Sequence, residues 1–379
     1  MSLILGIETS CDETAASVVE EGVIVRSNII ATQHKLHERY GGVVPELASR
    51  AHLERISPVI SEALEKASVS FADLDAIAVG NRPGLIGSLL VGVSAAKALA
   101  WTLNKPLIGI DHVKAHLYAG FMQIPSADPK SQISNLTSQI SNFKSPISNL
   151  KSDIKPFPAL GLVISGGHTS LYSLTSPLEM RIIGRTIDDA VGEAYDKAAV
   201  ILAIGYPGGP RLDKLAQTGD ASKHRLPRTL LGAESLDFSY SGLKTALLYA
   251  VRGYPVGKGS SATFEKSAAD LSEEDRRDLA AAFQEAAVET LMKKLDRAVE
   301  QLAAQGERPR SLLIGGGVSA NSLVRKGALE FGEEKGLNVR LPAMSLCLDN
   351  AAMIAGLAHE HFTRGDRSDF KLEAISTSR

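Results

Sequence analysis

Two histidines one helical turn apart carry the most specific chemistry in this sequence. In residues 112–116 (HVKAH) the imidazoles of His112 and His116 are spaced i, i+4 and so share one face of a helix. The spacing suits two ligands of a divalent transition metal, although it also arises by chance. Position 113 is Val, so the general-base Glu of an H-E-x-x-H zinc protease is missing. A third ligand is needed, and Asp349 is a candidate. Cys347 is also a potential soft ligand, but the interpretation of Cys347 as a small buried residue is favoured.

Two short polar turns stand between pairs of apolar segments, and each could hold an oxyanion. Residues 8–14 (ETSCDET) form the first turn. It is either a polar hairpin tip or a loop that binds phosphate or metal-bound water through backbone N–H groups and hydroxyls. Residues 165–169 (SGGHT) form the second turn, whose glycines allow a phosphate to approach the backbone closely. Two such turns at equivalent places favour a nucleotide held between them.

Further segments could contact the same nucleotide. Residues 315–317 are three glycines before a predicted helix, and they suit an adenosine, a phosphate or a plain tight turn. They lack the G-x-G-x-x-G spacing of a Rossmann fingerprint. Asp196 shares a helix face with Glu193 and could bind ribose hydroxyls, and Asp213 follows a rigid loop at 206–210. Residues 238–245 (FSYSGLKT) fit either packing or a polyanion contact.

The elements that must position these residues follow one plan twice. Each half opens with a strand, a small polar turn and two more strands, and continues with helices and further strands. The first half is predicted to have strands at 3–9, 15–19, 23–30, 75–79 and 107–110, with helices at 45–66, 88–103 and from about 111. The second is predicted to have strands at 159–165, 169–174, 180–186, 310–314 and 339–341, with helices at 188–202, 242–251, 275–304, 319–336 and 349–362. This repetition indicates a duplicated α/β fold of two lobes with a central cleft.

Length and composition are consistent with two lobes and exclude some classes of protein. The 379 residues carry a net charge of −2, so binding to nucleic acid through bulk positive charge is excluded. Two cysteines cannot form a disulfide framework, and the start of the chain has no basic segment typical of a signal peptide. We therefore expect a soluble, cytoplasmic protein.

A low-complexity segment separates the halves. Residues 126–156 contain one hexad three times (SQISNL, SQISNF, SPISNL). Its period resembles a coiled-coil seam, but the Ser and Asn content and the internal proline favour a flexible surface insertion. The predicted domains are a first lobe at 1–125, completed by the helix at about 349–362, this insertion, a second lobe at 157–348 and a tail at 363–379.

Taken in order, these motifs resemble the bacterial tRNA N6-adenosine threonylcarbamoyltransferase (TsaD) family. The matching segments are residues 6–14 (GIETSCDET), 41–50 (GGVVPELASR), the pair His112/His116, 165–169, 206–210 (YPGGP), 238–245 and 315–321 (GGGVSAN). The resemblance runs from residue 1 to about 362, interrupted by the insertion and by a longer loop at 254–272. It implies the actin/hsp70/sugar-kinase (ASKHA) fold. It also implies transfer of the threonylcarbamoyl group from threonylcarbamoyl-AMP to N6 of adenosine 37, in tRNAs that read codons beginning with A, with release of AMP.

The resemblance also assigns roles to residues of this sequence. His112, His116 and Asp349 would hold one divalent metal ion, with Fe²⁺ expected and Zn²⁺ as the other candidate. Asp12 or Glu13 would accept the N6 proton or order metal-bound water. The adenylate would be held by Val163, Ile164, Ser165, Gly166, Gly167, Asp196, Gly209, Asp213 and Asn321.

Partners and alternative functions follow from the same resemblance. The implied partners are tRNA, a TsaB-like paralogue of the same fold, a TsaE-like ATPase and a TsaC-type synthase that supplies the adenylate, with no membrane. Two other functions remain open at this point, a non-catalytic nucleotide-binding scaffold and a metalloprotease. The small-residue helix at 88–103 could be either an interface or buried core.

Overall fold

Two five-stranded mixed sheets with the same strand order form the framework of the computed structural model. The structure describes residues 1–125, 156–257 and 263–377. The predicted insertion lies outside the described residues except for residue 156. Together with the family evidence given below, the two sheets confirm the predicted α/β fold class.

The first sheet has the order β3-β2-β1-β4-β5. Its strands are β1 (Leu3–Glu8), β2 (Glu13–Glu20), β3 (Ile24–Thr32), β4 (Ala76–Arg82) and β5 (Leu107–Asp111). The helices of this half are α1 (His34–His37), α2 (Pro45–Ala67), α3 (Ile86–Leu103) and α4 (His112–Tyr118). Strands β1 to β3 pair antiparallel, while β4 and β5 run parallel to β1, so β1, β4 and β5 end at the same edge.

The second sheet repeats this order as β8-β7-β6-β9-β10. Its strands are β6 (Ala159–Ile164), β7 (Thr169–Leu174), β8 (Met180–Arg185), β9 (Ser311–Gly315) and β10 (Asn338–Arg340). The helices of this half are α5 (Val191–Ile201), α6 (Gly208–Ala216), α7 (Ser241–Arg252), α8 (Glu273–Ala304) and α9 (Ser322–Lys335), and α10 (Ala351–Arg364) follows. Strands β6 to β8 are antiparallel and β9 and β10 are parallel to β6.

Each sheet is covered by helices, and α4 lies between the two sheets. Helices α2 and α3 pack on one face of the first sheet and α10 on the other. The second sheet packs on α5 to α9. Ala115 of α4 joins the core beneath α10, whereas Val113 and Leu117 join a separate core with β6, β7 and β9. The helix with the histidine pair is therefore fixed from both sides.

Helix α3 is the one segment of the described residues that is long and apolar enough to cross a membrane by length and composition. Core helices pass the same test. Its buried residues include Val93, Ala96 and Ala100, which pack with α2 and the first sheet, while Trp101 is 73% exposed.

Several predicted element boundaries were wrong, and two of them differ because of a contact with another element. The helix predicted to start at residue 188 starts at Val191, because Asp188 instead accepts hydrogen bonds from the Tyr240 N–H and the Ser241 hydroxyl at the start of α7. The loop predicted at 206–210 contains the start of α6, whose Gly208 N–H donates to Asp196 from another helix.

Two helices near the end of the chain also differ from the prediction. The helix predicted from 319 begins at Ser322, because a short 3-10 turn at Gly317–Ala320 comes first. The last helix begins after Asn350, whose side chain accepts from the Met353 N–H and so sets its first turn. Beyond this helix the chain runs back along the first sheet, where the Ser368 N–H donates to the Leu107 carbonyl.

Candidate functional site

The two histidines of α4 meet a carboxylate from the start of α10. His112 Nε2 lies 3.1 Å from His116 Nε2. The Asp349 Oδ1 atom lies 3.5 Å from His112 Nε2 and 3.2 Å from His116 Nε2. Both imidazoles are almost fully buried. Residues far apart in sequence therefore present three ligand atoms to one point.

The separations fit a shared ion. Ligand atoms about 2.0–2.2 Å from one metal must lie roughly 3 to 3.5 Å from one another, as these do. Two imidazole nitrogens and one carboxylate oxygen suit iron or zinc better than magnesium or calcium, which prefer all-oxygen sites. His116 Nδ1 is buried without a hydrogen-bond partner among the described residues.

Glu8 and Ser10 of the first turn orient His112. Glu8 Oε2 lies 2.9 Å from His112 Nδ1, and the Ser10 hydroxyl lies 3.2 Å from it. A carboxylate can only accept, so Nδ1 carries the hydrogen and Nε2 is left as the ligand atom. The sequence analysis did not identify this role for Glu8. The signal was that β1 and β5 end at the same edge of a sheet, which brings Glu8 close to His112.

The electrostatics of the three residues are dominated by burial and mutual pairing. Burial lowers the pKa of His112, but the charges of Asp349 and Glu8 outweigh it and hold this pKa well above its ordinary value. Burial lowers the pKa of His116. Burial opposes ionisation of Asp349, and the two histidines overcome it and lower its pKa. The carboxylate is thus ready to act as a ligand at neutral pH.

Asp12 and Glu13 lie next to this group in the first turn. Both are buried, and Glu13 Oε1 is 3.4 Å from Nε2 of the partly exposed His34. Burial raises the pKa of Glu13 to about 8, while the His34 hydrogen bond opposes the rise. Asp12, Glu13 and His34 offer ligand atoms within 4.8 Å of one another and form a second polar cluster. Glu13 begins β2, so the bend is shorter than the sequence predicted.

The second turn presents bare backbone. A Cβ on Gly166 or Gly167 would have no atom within 4 Å. The turn itself is closed by the Ser165 N–H donating to the His168 carbonyl at 2.8 Å. Gly192 of α5 packs against the Ser165 carbonyl, where a Cβ would lie 2.6 Å away. The glycines therefore leave room at the start of a helix, which is where an anion is favoured.

Four further predicted adenylate residues lie at the end of β6, in α5 or at the start of α6. Val163 and Ile164 end β6 with buried side chains, so only their backbone faces the turn. Asp196 accepts from the N–H groups of Gly208 and Gly209 at 3.0 and 3.3 Å through one oxygen, Oδ1. Burial raises the pKa of Asp196. A Cβ on Gly209 would meet nothing within 4 Å, so this helix start is open too.

Asp213 and Asn321 are already occupied by protein contacts. Asp213 accepts from the Ser322 hydroxyl at 2.6 Å and from Gln284 Nε2 at 3.0 Å. Asn321 caps α9 by accepting from the Leu323 and Val324 N–H groups, and it donates to Gln284 Oε1 at 2.9 Å. These two side chains therefore join α6 and α8 to the start of α9.

The segment 238–245 is packed and paired rather than open. Phe238 and Tyr240 are in the core of the second half. Lys244 Nζ lies 2.6 Å from Asp189, which also pairs with Lys197. This arrangement favours the packing interpretation of the segment over a polyanion contact.

Comparison with known sequences shows the family. The TsaD family profile, described as tRNA N6-adenosine threonylcarbamoyltransferase, matches residues 24–138 and 136–356. The tRNA N6-adenosine threonylcarbamoyltransferase of Moorella thermoacetica is 46% identical over 98% of this chain and 95% of its own length. That of Thermosipho africanus is 39% identical over 98% of both chains.

Among solved structures, HypF of T. kodakarensis superposes with a TM-score of 0.55 at 15% identity. The match covers 96% of this chain and 48% of that one, and it supports the fold alone. With a family profile and near full-length relatives in agreement, the chain is an acyltransferase that belongs to the tRNA N6-adenosine threonylcarbamoyltransferase family.

Proposed function

We propose that this chain transfers the threonylcarbamoyl group to N6 of adenosine 37 at the point between the two sheets where His112, His116 and Asp349 converge. The observation that carries the proposal is the 3.1–3.5 Å separation of their three ligand atoms. These residues would hold one divalent ion, Fe²⁺ in our proposal and Zn²⁺ as the other candidate. When bound, the ion supplies Lewis acidity toward the carbonyl or phosphate oxygens.

The second turn would hold the adenylate. The open glycines Gly166, Gly167 and Gly209 support this, because each leaves a helix start accessible to phosphate or ribose. Asp196 has one oxygen engaged with the α6 backbone, and its other oxygen would meet a ribose hydroxyl. Asp213 and Asn321 would act by fixing the start of α9, which follows the glycine turn at 315–317 along the chain.

The chemistry requires orientation more than activation. N6 of adenosine attacks the carbamoyl carbon, the bond from that carbon to the phosphate oxygen breaks, and N6 loses one proton as AMP departs. The anhydride is already activated, so the chain gains most by holding the two reactants in line and by donating backbone N–H groups to the departing phosphate. Glu13 or Asp12 would take the N6 proton.

Two experiments test these assignments. Asp12→Ala and Glu13→Ala are measured singly in single-turnover transfer, and unchanged rates in both eliminate a proton-accepting role. Mass spectrometry of tRNA nucleosides from a strain depleted of this protein tests the activity itself. Loss of threonylcarbamoyl-adenosine is expected, and its persistence contradicts the transferase function.

The partners we propose are tRNA, a TsaB-like paralogue, a TsaE-like ATPase and a TsaC-type synthase, all in the cytoplasm. The net charge of −2 supports the need for partners, since affinity for tRNA rests on neutralising phosphates. The isolated chain should therefore bind tRNA weakly. Filter binding across a salt series checks this, and tight, salt-resistant binding by the chain alone contradicts it.

A further inference from the structure

A buried polar network lies behind the first turn and is not used by the proposed chemistry. Gln33, His37 and His52 are each at most 1% exposed. His37 Nε2 lies 3.2 Å from Gln33 Oε1, and Gln33 Nε2 donates to the Ala48 carbonyl at 3.3 Å. Buried polar groups are costly unless paired, so such a network in a hydrophobic region needs a reason.

His52 is the member of this network that reaches the first turn. Its Nε2 lies 3.0 Å from the Cys11 carbonyl oxygen and its Nδ1 lies 2.7 Å from the Thr14 hydroxyl. A carbonyl oxygen only accepts, so Nε2 carries the hydrogen and Nδ1 accepts from Thr14. Burial lowers the pKa of His52, which keeps the ring in this neutral form.

The two bonds of His52 flank the two carboxylates. Cys11 and Thr14 stand immediately before and after Asp12 and Glu13 in the chain. From the other side the Gln33 N–H donates to the Asp12 carbonyl at 3.1 Å. The backbone that carries the carboxylates is thus tied to α2 at both ends.

The bond to Cys11 matters more than the bond to Thr14. Thr14 is already fixed in the β2–β3 ladder opposite Ala31. Cys11 belongs to no strand, and its carbonyl has no partner other than His52 among the hydrogen bonds of the described residues. Loss of the bond from His52 Nε2 to Cys11 would therefore let the bend move. Loss of the bond from Thr14 to His52 Nδ1 would leave Thr14 held in its strand.

We propose that His52 is a positioning residue for threonylcarbamoyl transfer, because its Nε2–H bond to the Cys11 carbonyl fixes the bend that presents Asp12 and Glu13. The inference rests on the proposed role of these two carboxylates. It assigns a function to a residue just beyond the motif at 41–50, which the proposed chemistry leaves without a role.

Three substitutions separate the two bonds. In His52→Gln the side-chain amide reaches the place of Nε2 and can donate to Cys11, whereas in His52→Asn it reaches only the place of Nδ1. His52→Leu removes both bonds. We expect His52→Leu and His52→Asn to slow single-turnover transfer about 10- to 100-fold, because misplacement of a reacting group by about 1 Å has this effect. His52→Gln should keep the rate within about threefold of the wild type.

Readouts other than rate distinguish positioning from loss of structure. Metal content and KM for threonylcarbamoyl-AMP should stay at wild-type values in all three variants, because the hydrogen-bond partners of His52 among the described residues are Thr14, Gln33 and Cys11, and include neither His112 nor the second turn. His37→Leu is the matched control. It also removes a buried imidazole, but this imidazole bonds the Val44 N–H and the Gln33 side chain and makes no direct hydrogen bond to the first turn. It should lower the melting temperature as much as His52→Leu does, with a smaller loss of rate.

The outcomes that overturn the proposal are specific. A wild-type transfer rate in His52→Leu overturns the proposal. A transfer rate that is higher in His52→Asn than in His52→Gln overturns it as well. If His52→Leu does not fold, the comparison of Asn with Gln still decides. Adding His52→Leu to Glu13→Ala should give no further loss, because both act through one group. Full activity of Asp12→Ala and Glu13→Ala would overturn the proposed role of these two carboxylates together with this inference, while leaving the transferase function standing. A defect in those two variants with none in the His52 variants would overturn the inference alone.

Discussion

The two halves share one strand order but use the same turn differently. The first turn joins β1 to β2, and the second joins β6 to β7, at equivalent places in the two sheets. In the first, Glu8, Asp12 and Glu13 are buried side chains held by α2, α4 and neighbouring strands. In the second, Gly166 and Gly167 are backbone with open space around them.

The glycines near the two turns reveal what each turn accommodates. Around the first turn, glycines on other elements make room for its side chains: a Cβ on Gly80 would lie 2.5 Å from Glu8, and one on Gly84 2.5 Å from the Ser10 carbonyl. In the second turn the glycines belong to the turn itself, and no other part of the described protein occupies the space beside them. The first turn is therefore filled by the chain itself, and the second is open, as the proposed adenylate site requires.

The largest effect should come from the metal group beside the first turn. His116→Ala removes one of the three proposed ligands and should reduce transfer about 100-fold or more, because electrostatic stabilisation of the transition state is lost. Metal analysis of the purified variant should show loss of the ion. Chelation of the wild type should have the same effect and Fe²⁺ should reverse it. A variant with full metal content and full activity would contradict the assignment.

The support given by Glu8 should come next. Glu8→Gln keeps the shape of the side chain but removes the charge that faces His112 Nδ1. Metal affinity should fall about 10- to 100-fold, as for other outer partners of ligating histidines. Metal titration of the chelated protein measures this. Glu20→Gln at the far end of β2, which breaks an ion pair with Arg26, is the control and should bind metal normally.

The open second turn should tolerate a methyl group structurally but not functionally. Gly166→Ala adds a Cβ that meets no protein atom, so the melting temperature should stay within a degree or two. If the adenylate lies there, KM for threonylcarbamoyl-AMP should rise about 10-fold, as in an overpacked site. Gly192→Ala is the opposite control and should destabilise the fold, because its Cβ would lie 2.6 Å from the Ser165 carbonyl oxygen. An unchanged KM in Gly166→Ala would remove the contrast between the turns.

The smallest effect should be a shift in pH dependence. Burial raises the pKa of Glu13 to about 8, and a base must be ionised, so single-turnover transfer should rise with pH through about 8. The His34 hydrogen bond lowers this pKa, so His34→Gln should move the rise to higher pH. His361→Gln, which breaks a surface pair with Asp366, should leave the profile unchanged. A profile that is flat from pH 6 to 9 would contradict a base at Glu13.

The sequence predicted what depends on local spacing. The i, i+4 spacing of His112 and His116 placed both imidazoles on one helix face, and the repeated strand–turn–strand pattern predicted the duplicated sheets. The roles of the predicted site residues remain proposals, as do the domain boundaries.

The sequence did not predict what depends on partners distant in the chain. Asp188 was interpreted as the start of its own helix, but its partners are more than fifty residues away at the start of α7. The roles of Glu8 and His52 could not be identified from the sequence. Neither their spacing nor their residue type indicates that Glu8 faces the ring of His112 or that His52 faces the first turn. Only the parallel alignment of β1 with β5 and the packing of α2 on β2 bring these groups together.

The position of α10 has a consequence for synthesis of the chain. A Cβ on Gly6 would lie 2.3 Å from the Ala351 carbonyl oxygen, so the first strand is covered by a helix that is synthesised long after it. Until α10 is made, one apolar face of the first sheet has no cover, and contacts between such distant segments form slowly. We expect nascent chains that end before residue 351 to expose this face, to engage chaperones and to aggregate without them.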